Sequence, residues 1–268
     1  MGKGLVSGCF GKLMDTVETS LIEPRLPVRH YTRAPITEAI IDFRVLVPEG
    51  AKLSDLSRIE TEIKDRYPTA KRRMLVQGQL SAGDEVSASA KQRQTGYLFY
   101  SADGKDVFQA DLDGFTFSRL APYENWQSFR ERAQREWSVF ERFLAPSVIQ
   151  RVAVRYINTV DIPGSNVDFD EYFLTIPKAG PSLPQGLSGF VMQLQIPQPD
   201  IGAAAILTQT IKPPSRPNVV SVVLDIDVFV QAHSMTPESA WAVLEILRVR
   251  KNELFEGSIT DKARRLFD

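Results

Sequence analysis

The chain has 268 residues, with 32 basic against 33 acidic side chains, a formal net charge of -1 and 43% apolar residues. This balance is ordinary for a globular protein and excludes a collagen-like, coiled-coil or wholly disordered chain. It also argues against a dedicated non-specific DNA binder, which carries a clear basic excess.

Residues 1–30 read as a loosely ordered leader without the apolar core of a signal peptide. Val6 stands where a myristoylation signal has Ser or Thr. The lone Cys9 closes no intramolecular disulfide and builds no zinc site by itself, which suits a reducing cytoplasm. No run along the chain approaches the ~18–20 apolar residues of a membrane span.

Residues 38–47 alternate, placing Ala39, Ile41, Phe43, Val45 and Val47 on one face of a strand. Ser54 is placed to cap a short helix through Tyr67, with Leu56, Ile59 and Ile63 on its buried side. Strands follow over 72–80, 86–93, 95–102, 106–112 and 115–120. Asp103-Gly104 and Asp113-Gly114 separate the last three, and Asp-Gly suits a tight turn that needs positive φ. A long helix is predicted over 122–144, with Pro122 in its first turn and Pro146 as its stop. Its stripe of Trp126, Phe129, Ala133, Trp137, Phe140 and Leu144 reads as core packing against a sheet.

The second half repeats the plan. Residues 148–162 read as a strand, 168–173 as a short helix, and 189–196, 203–211 and 218–231 as strands. Thr236-Pro237 opens a helix carrying Trp241, Leu244, Leu247 and Leu254; Gly257 interrupts it, and Ser258 or Thr260 caps a last turn. Pro177, Pro181 and Pro184 mark a loop over 176–188, a connection or a lid. One constant offset maps Val47-Pro48 onto Ile162-Pro163, Pro122 onto Pro237, Trp126 onto Trp241 and Phe140 onto Phe255. The expected class is therefore α+β: two similar β-α-β-β-β-α units, 31–146 and 147–268. They form one curved antiparallel sheet with helices on one face.

Four stretches carry a family resemblance: Ala34-Pro35-Ile36-Thr37-Glu38-Ala39, Arg119-Leu120-Ala121-Pro122-Tyr123-Glu124-Asn125-Trp126, Arg155-Tyr156-Ile157-Asn158 and Ile259-Thr260-Asp261-Lys262. In order and spacing they resemble a sporadically distributed, functionally uncharacterised bacterial protein family of about this length. Ala34 stands where that family is expected to have proline. The resemblance implies a bacterial protein in an accessory or defence-related setting and brings no reaction with it. The duplicated plan is also similar in architecture to the saddle of the TATA-box-binding protein family. No paired apolar wedges like those of that family can be assigned here.

Alternation assigns Asp42, Arg44, Arg73, Gln77, Gln79, Ser87, Ser89, Lys91, Arg93, Gln109 and Asp111 to the uncovered sheet face in the first unit. From the second unit come Arg151, Arg155, Thr159, Asp161, Gln193, Gln195, Gln209, Ser221, Asp225 and Asp227. Three readings stand for this face: a solvated lattice of cross-strand polar pairs, a docking surface for a protein or peptide, or a nucleotide or nucleic-acid site. Arg44, Arg73, Arg93, Arg151, Arg155, Gln193, Asp225 and Asp227 are the binding candidates. Asp225 and Asp227 lie two apart on one strand, roughly 7 Å from each other, and are either held by arginines or placed to share a divalent cation with a phosphate.

No Gly-x-Gly-x-x-Gly, Walker, Gly-x-Ser-x-Gly or His-Glu-x-x-His motif occurs, and His30 and His233 have no cysteine partner for a metal site. The denser basic clusters are Lys71-Arg72-Arg73 and Arg248, Arg250, Lys251, while Arg130, Arg132 and Arg135 interleave with Glu131 and Glu136 as a solvated helix face. The leading expectation is a non-catalytic binding protein that shows its polar sheet face, or the 176–188 loop, to a macromolecular partner, with no cofactor, no metal and no membrane. The alternative is a nucleotide- or phosphate-binding protein, with a Mg-dependent phosphohydrolase as its catalytic form.

Overall fold

The alternating segments pair into one sheet. The computed structural model describes residues 29–82, 86–184 and 186–268, with backbone alone over 77–82 and 86–90. The strands are β1 (Ile36–Leu46), β2 (Thr69–Ala82), β3 (Val86–Tyr100), β4 (Asp106–Asp111), β5 (Gly114–Leu120), β6 (Val148–Pro163), β7 (Val191–Gln198), β8 (Ala203–Lys212) and β9 (Val219–Gln231). They lie in the order β2-β3-β4-β5-β1-β6-β9-β8-β7, each pair antiparallel. The helices among the described residues are α1 (Leu53–Ile63), α2 (Trp126–Leu144), α3 (Pro237–Ser258) and α4 (Asp261–Arg264).

Period-two alternation decides which face is covered. Ala39, Ile41, Phe43 and Val45 of β1 are buried, as are Val152, Val154, Tyr156 and Val160 of β6 and Leu224, Ile226 and Val228 of β9. Their neighbours in sequence point to the other side. Phe43 packs edge-on against Trp137 of α2 at 5.0 Å and Trp241 of α3 at 5.2 Å, which seats both long helices on the same face. The predicted α2 stripe is buried throughout, from Trp126 to Leu144. α1 lies beside α2 and buries Leu56, Ile59 and Ile63.

Several boundaries differ from the sequence reading. Residues 86–100 form one strand, β3, rather than two; it pairs with β2 along its whole length and with β4 only over its last turn of chain. α2 starts at Trp126, not Pro122, because the Asn125 side chain accepts from the Ser128 backbone N–H and so caps it there. α1 starts one residue before Ser54, with Asp55 accepting from the Lys52 N–H at 2.9 Å. α3 continues through Gly257 to Ser258, because packing on the sheet outweighs glycine's low helix propensity. Thr260 caps α4 as expected. Of the two Asp-Gly turns, Gly104 has the left-handed φ of 68°, whereas Gly114 opens β5 without a positive φ. The 1–28 part of the leader lies outside the described residues.

Candidate functional site

The uncovered face gathers its charges at the centre of the sheet. Arg151 of β6 donates from Nη1 to Asp42 Oδ1 (2.8 Å) and from Nη2 to Asp227 Oδ2 (2.7 Å), and its guanidinium lies 4.5 Å over the Phe229 ring. Arg44 donates to the other oxygen of Asp42 at 2.9 Å, and the Thr116 hydroxyl donates to it at 2.8 Å. Arg155 holds Asp225 with Nε (2.8 Å) and Nη2 (2.5 Å). Arg44, Arg151 and Arg155 are thus each bonded to an aspartate, the solvated-lattice arrangement. Burial raises the Asp227 carboxyl above the usual carboxylate range against the opposing pull of Arg151 and Arg155.

The remaining candidates are dispersed. Arg73 of β2 donates to Asp111 of β4, reaching over β3 at Gly96, its cross-strand partner. A Cβ at position 96 would lie 2.1 Å from Asp111 Oδ1, so the bridge exists only because that residue is glycine. Asp111 is fully buried, and burial raises its carboxyl. Arg93 is exposed on β3, and Gln193 donates to the Thr208 hydroxyl at 3.2 Å on the far side of the sheet. Gln77, Gln79, Ser87 and Ser89 fall outside the described side chains. Gln209 corrects the expectation: it is fully buried on the helix-covered side opposite Leu224, since β8 turns its odd-numbered residues inward. The α2 arginines are a solvated face only in part: Glu131 and Arg135 are exposed, while Arg130 and Arg132 are half-buried. Arg130 pairs with Glu245 of α3 at 3.1 Å, and Arg135 with Arg66 of the segment after α1 clamps the fully buried Glu136.

Beneath the helices lies a feature that the alternation could not show. A cavity of about 1000 Å³ opens between the 29–36 segment, the lead into α2, the middle of β6 and the last turns of α3. Its walls include Pro122, Tyr123, Trp126, Tyr156, Asn158, Arg248, Lys251 and Phe255. The volume matches that of sites that enclose small molecules. Three of the four stretches quoted for the resemblance contribute to it, through Ala34 to Ile36, Ala121 to Trp126, and Tyr156 with Asn158.

Lys251 is the unusual group here. It is only 7% exposed, and its Nζ sits 3.6 Å from the centre of the Tyr156 ring. That ring is its sole polar or charged contact among the described residues. Burial, reinforced by Arg248 and opposed by Glu256, lowers its ammonium pKa to about 7. The Tyr123 and Tyr156 hydroxyls bond each other at 2.8 Å, and burial pushes Tyr123 up to about 12. The Asn158 amide is turned to the backbone, donating to the carbonyls of Leu224 (3.0 Å) and Tyr156 (3.3 Å). Above them Trp126 Nε1 donates to Glu245 at 2.9 Å, and Arg248 stacks over the Trp126 ring at 5.5 Å.

No family model matches the chain, and no curated protein matches it. Among the described residues no group of three or more His, Cys, Asp or Glu side chains is placed to hold a metal ion, and no helix is long and apolar enough to cross a membrane. The sequence held one signal for the cavity, the basic cluster Arg248, Arg250 and Lys251. It splits on folding. Arg250 turns away to Gln198, Asp200 and Glu253, while Arg248 and Lys251 face the cavity.

Proposed function

We propose that this is a binding protein whose ligand is a small molecule held in the cavity at the root of α2 and α3. The observation that carries this reading is Lys251, a buried side chain that lines a cavity of about 1000 Å³ and has no carboxylate partner among the described residues. A buried amine without a partner is costly unless something else satisfies it. Trp126 lines the same cavity and reports occupancy. Titration with a fragment library should change its fluorescence saturably, and Trp126→Phe should abolish that change. A library that leaves the signal flat would remove the reading.

A second reading is macromolecular docking on the uncovered face. It is favoured by the seating of α2 and α3 on one side, which leaves the Arg44, Arg151 and Arg155 lattice facing outward. Pull-down from the native cell tests it: Arg44→Glu with Arg155→Glu should lose the partner, and retention would count against docking there. A nucleotide or phosphate on this face would have to displace Asp42, Asp225 or Asp227 from those arginines, which favours the cavity as the ligand site.

We also infer that the two halves descend from one unit. The sheet reads outward from its centre as β1-β5-β4-β3 on one side, with β2 as an extra edge strand, and β6-β9-β8-β7 on the other. The offset that carries Trp126 onto Trp241 also carries Ile40 onto its sheet partner Arg155, and Arg130 onto its ion-pair partner Glu245. A two-fold relation between halves calls for such self-paired positions along its axis, in both layers. Experimental coordinates in which β1, β5, β4 and α2 fail to superpose on β6, β9, β8 and α3 would refute it.

A further inference from the structure

The hydrogen-bonding groups around the cavity are unevenly matched. Its acidic residues are neutralised by arginines outside the lining: Glu124 by Arg119 and Arg132, Glu253 by Arg250, and Glu256 by Arg264. Its donors are not matched in the same way. Among the described residues Lys251 meets only a ring face, and Arg248 makes a long ion pair of 3.8 Å with Glu245. The Tyr123–Tyr156 pair holds two hydroxyl hydrogens, and their mutual bond uses one. The second has no acceptor among the described residues. Lys251 therefore brings to the floor of the cavity a cation with no ion-pair partner among the described residues. Around the donors, Ile36, Pro122, Trp126, Val249 and Phe255 supply apolar wall.

We propose that the cavity binds a small organic anion, its charged head group received by Lys251, Arg248 and the spare hydroxyl hydrogen of the Tyr123–Tyr156 pair, its body lying against Trp126 and Phe255. An anion supplies the missing acceptors and the missing charge together, and hydrogen bonds between charged partners are the stronger kind. A neutral molecule of the same shape leaves the Lys251 ammonium unpaired. The inference rests on the cavity reading above and adds the ligand's charge to it.

The test is isothermal titration with 2-naphthoate, 2-naphthyl phosphate and the neutral isostere 2-naphthamide. At least one anion should bind the wild-type protein saturably, and the better of the two identifies the head group as carboxylate or phosphate. The amide should bind at least tenfold more weakly. Lys251→Met keeps the side-chain volume and should weaken the anion at least tenfold, while Tyr123→Phe weakens it less. Lys64→Gln, an exposed charge loss beyond α1, serves as the control and should leave it unchanged. Equal anion binding by wild type and Lys251→Met overturns the proposal. Equal binding of amide and anions overturns it too, but leaves the cavity reading standing. Binding of none of the three would remove both.

Discussion

On the uncovered face Arg151 lies between Asp42 and Asp227, and Arg155 grips Asp225 with two nitrogens; under the helices Lys251 has, among the described residues, only the Tyr156 ring. The first region carries more formal charge, yet its arginines are matched from neighbouring strands. The second carries fewer charges, but the amine of Lys251 has no ion-pair partner among the described residues. Charge density alone therefore does not mark a binding site. The proposed site is read instead from a buried amine beside a cavity, because desolvating an amine without an ion-pair partner is costly.

The largest expected effect tests how far the open-face lattice depends on the backbone. Gly96→Ala puts a Cβ 2.1 Å from Asp111 Oδ1 and 2.2 Å from the Ala110 carbonyl, so β3 and β4 must part and Asp111 must shift. A loss of ~3–5 kcal/mol in urea unfolding is expected, at the upper end for single substitutions. Arg151→Ala comes next. It strands the largely buried Asp227 and takes from Asp42 one of its two arginines, and should cost ~3 kcal/mol by the same measurement. A loss below ~1 kcal/mol would mean that water already satisfies these carboxylates and that the face is less of a closed lattice than the contacts imply.

Lys251 sharpens the other half of the comparison through pH. Its pKa falls from 10.5 in the unfolded chain to about 7 in the fold, so between those values the unfolded state holds the extra proton. Stability should then rise with pH across this window, by up to ~1.4 kcal/mol per pH unit. Arg248 and Glu256 are the charged groups that act on Lys251, and Tyr31, Tyr123 and Tyr156 line the same cavity. The tyrosines are raised by burial and stay protonated through the window. Lys251→Met should flatten the rise in denaturation curves taken from pH 7 to 9; an unchanged slope would show that the amine is not desolvated in solution. The smallest effect is expected for Arg155→Ala. That pair is partly open to solvent, the arginine side chain being 44% exposed, and its removal should cost no more than ~1 kcal/mol.

Much of the architecture was legible in the chain. Alternation over β1, β6 and β9 identified the buried and open faces, because a strand's side chains can point only two ways. The apolar stripe from Trp126 to Leu144 identified the helix that covers one of them. Even the pairing of Asp225 and Asp227 with arginines was among the stated readings. Where the reading missed, a longer-range contact had prevailed over a local rule: Gln209 looks outward-facing until the β8 register is known, and Gly257 looks like a break until packing holds α3 together.

What local pattern determined, then, is which residues are strand or helix and which of two faces each presents, since both follow from periodicities of two and 3.6 residues. Which charges find partners was decided only by the tertiary structure. Tyr123, Tyr156 and Lys251 stand far apart in the chain and meet only when α3 crosses β6 beside the lead into α2. Neighbouring basic residues on one helix part company there, Arg250 turning to Asp200 and Glu253 and Lys251 to the cavity, with no ion-pair partner among the described residues. The rotation of a helix about its own axis separates them, and that rotation is set by packing against the sheet.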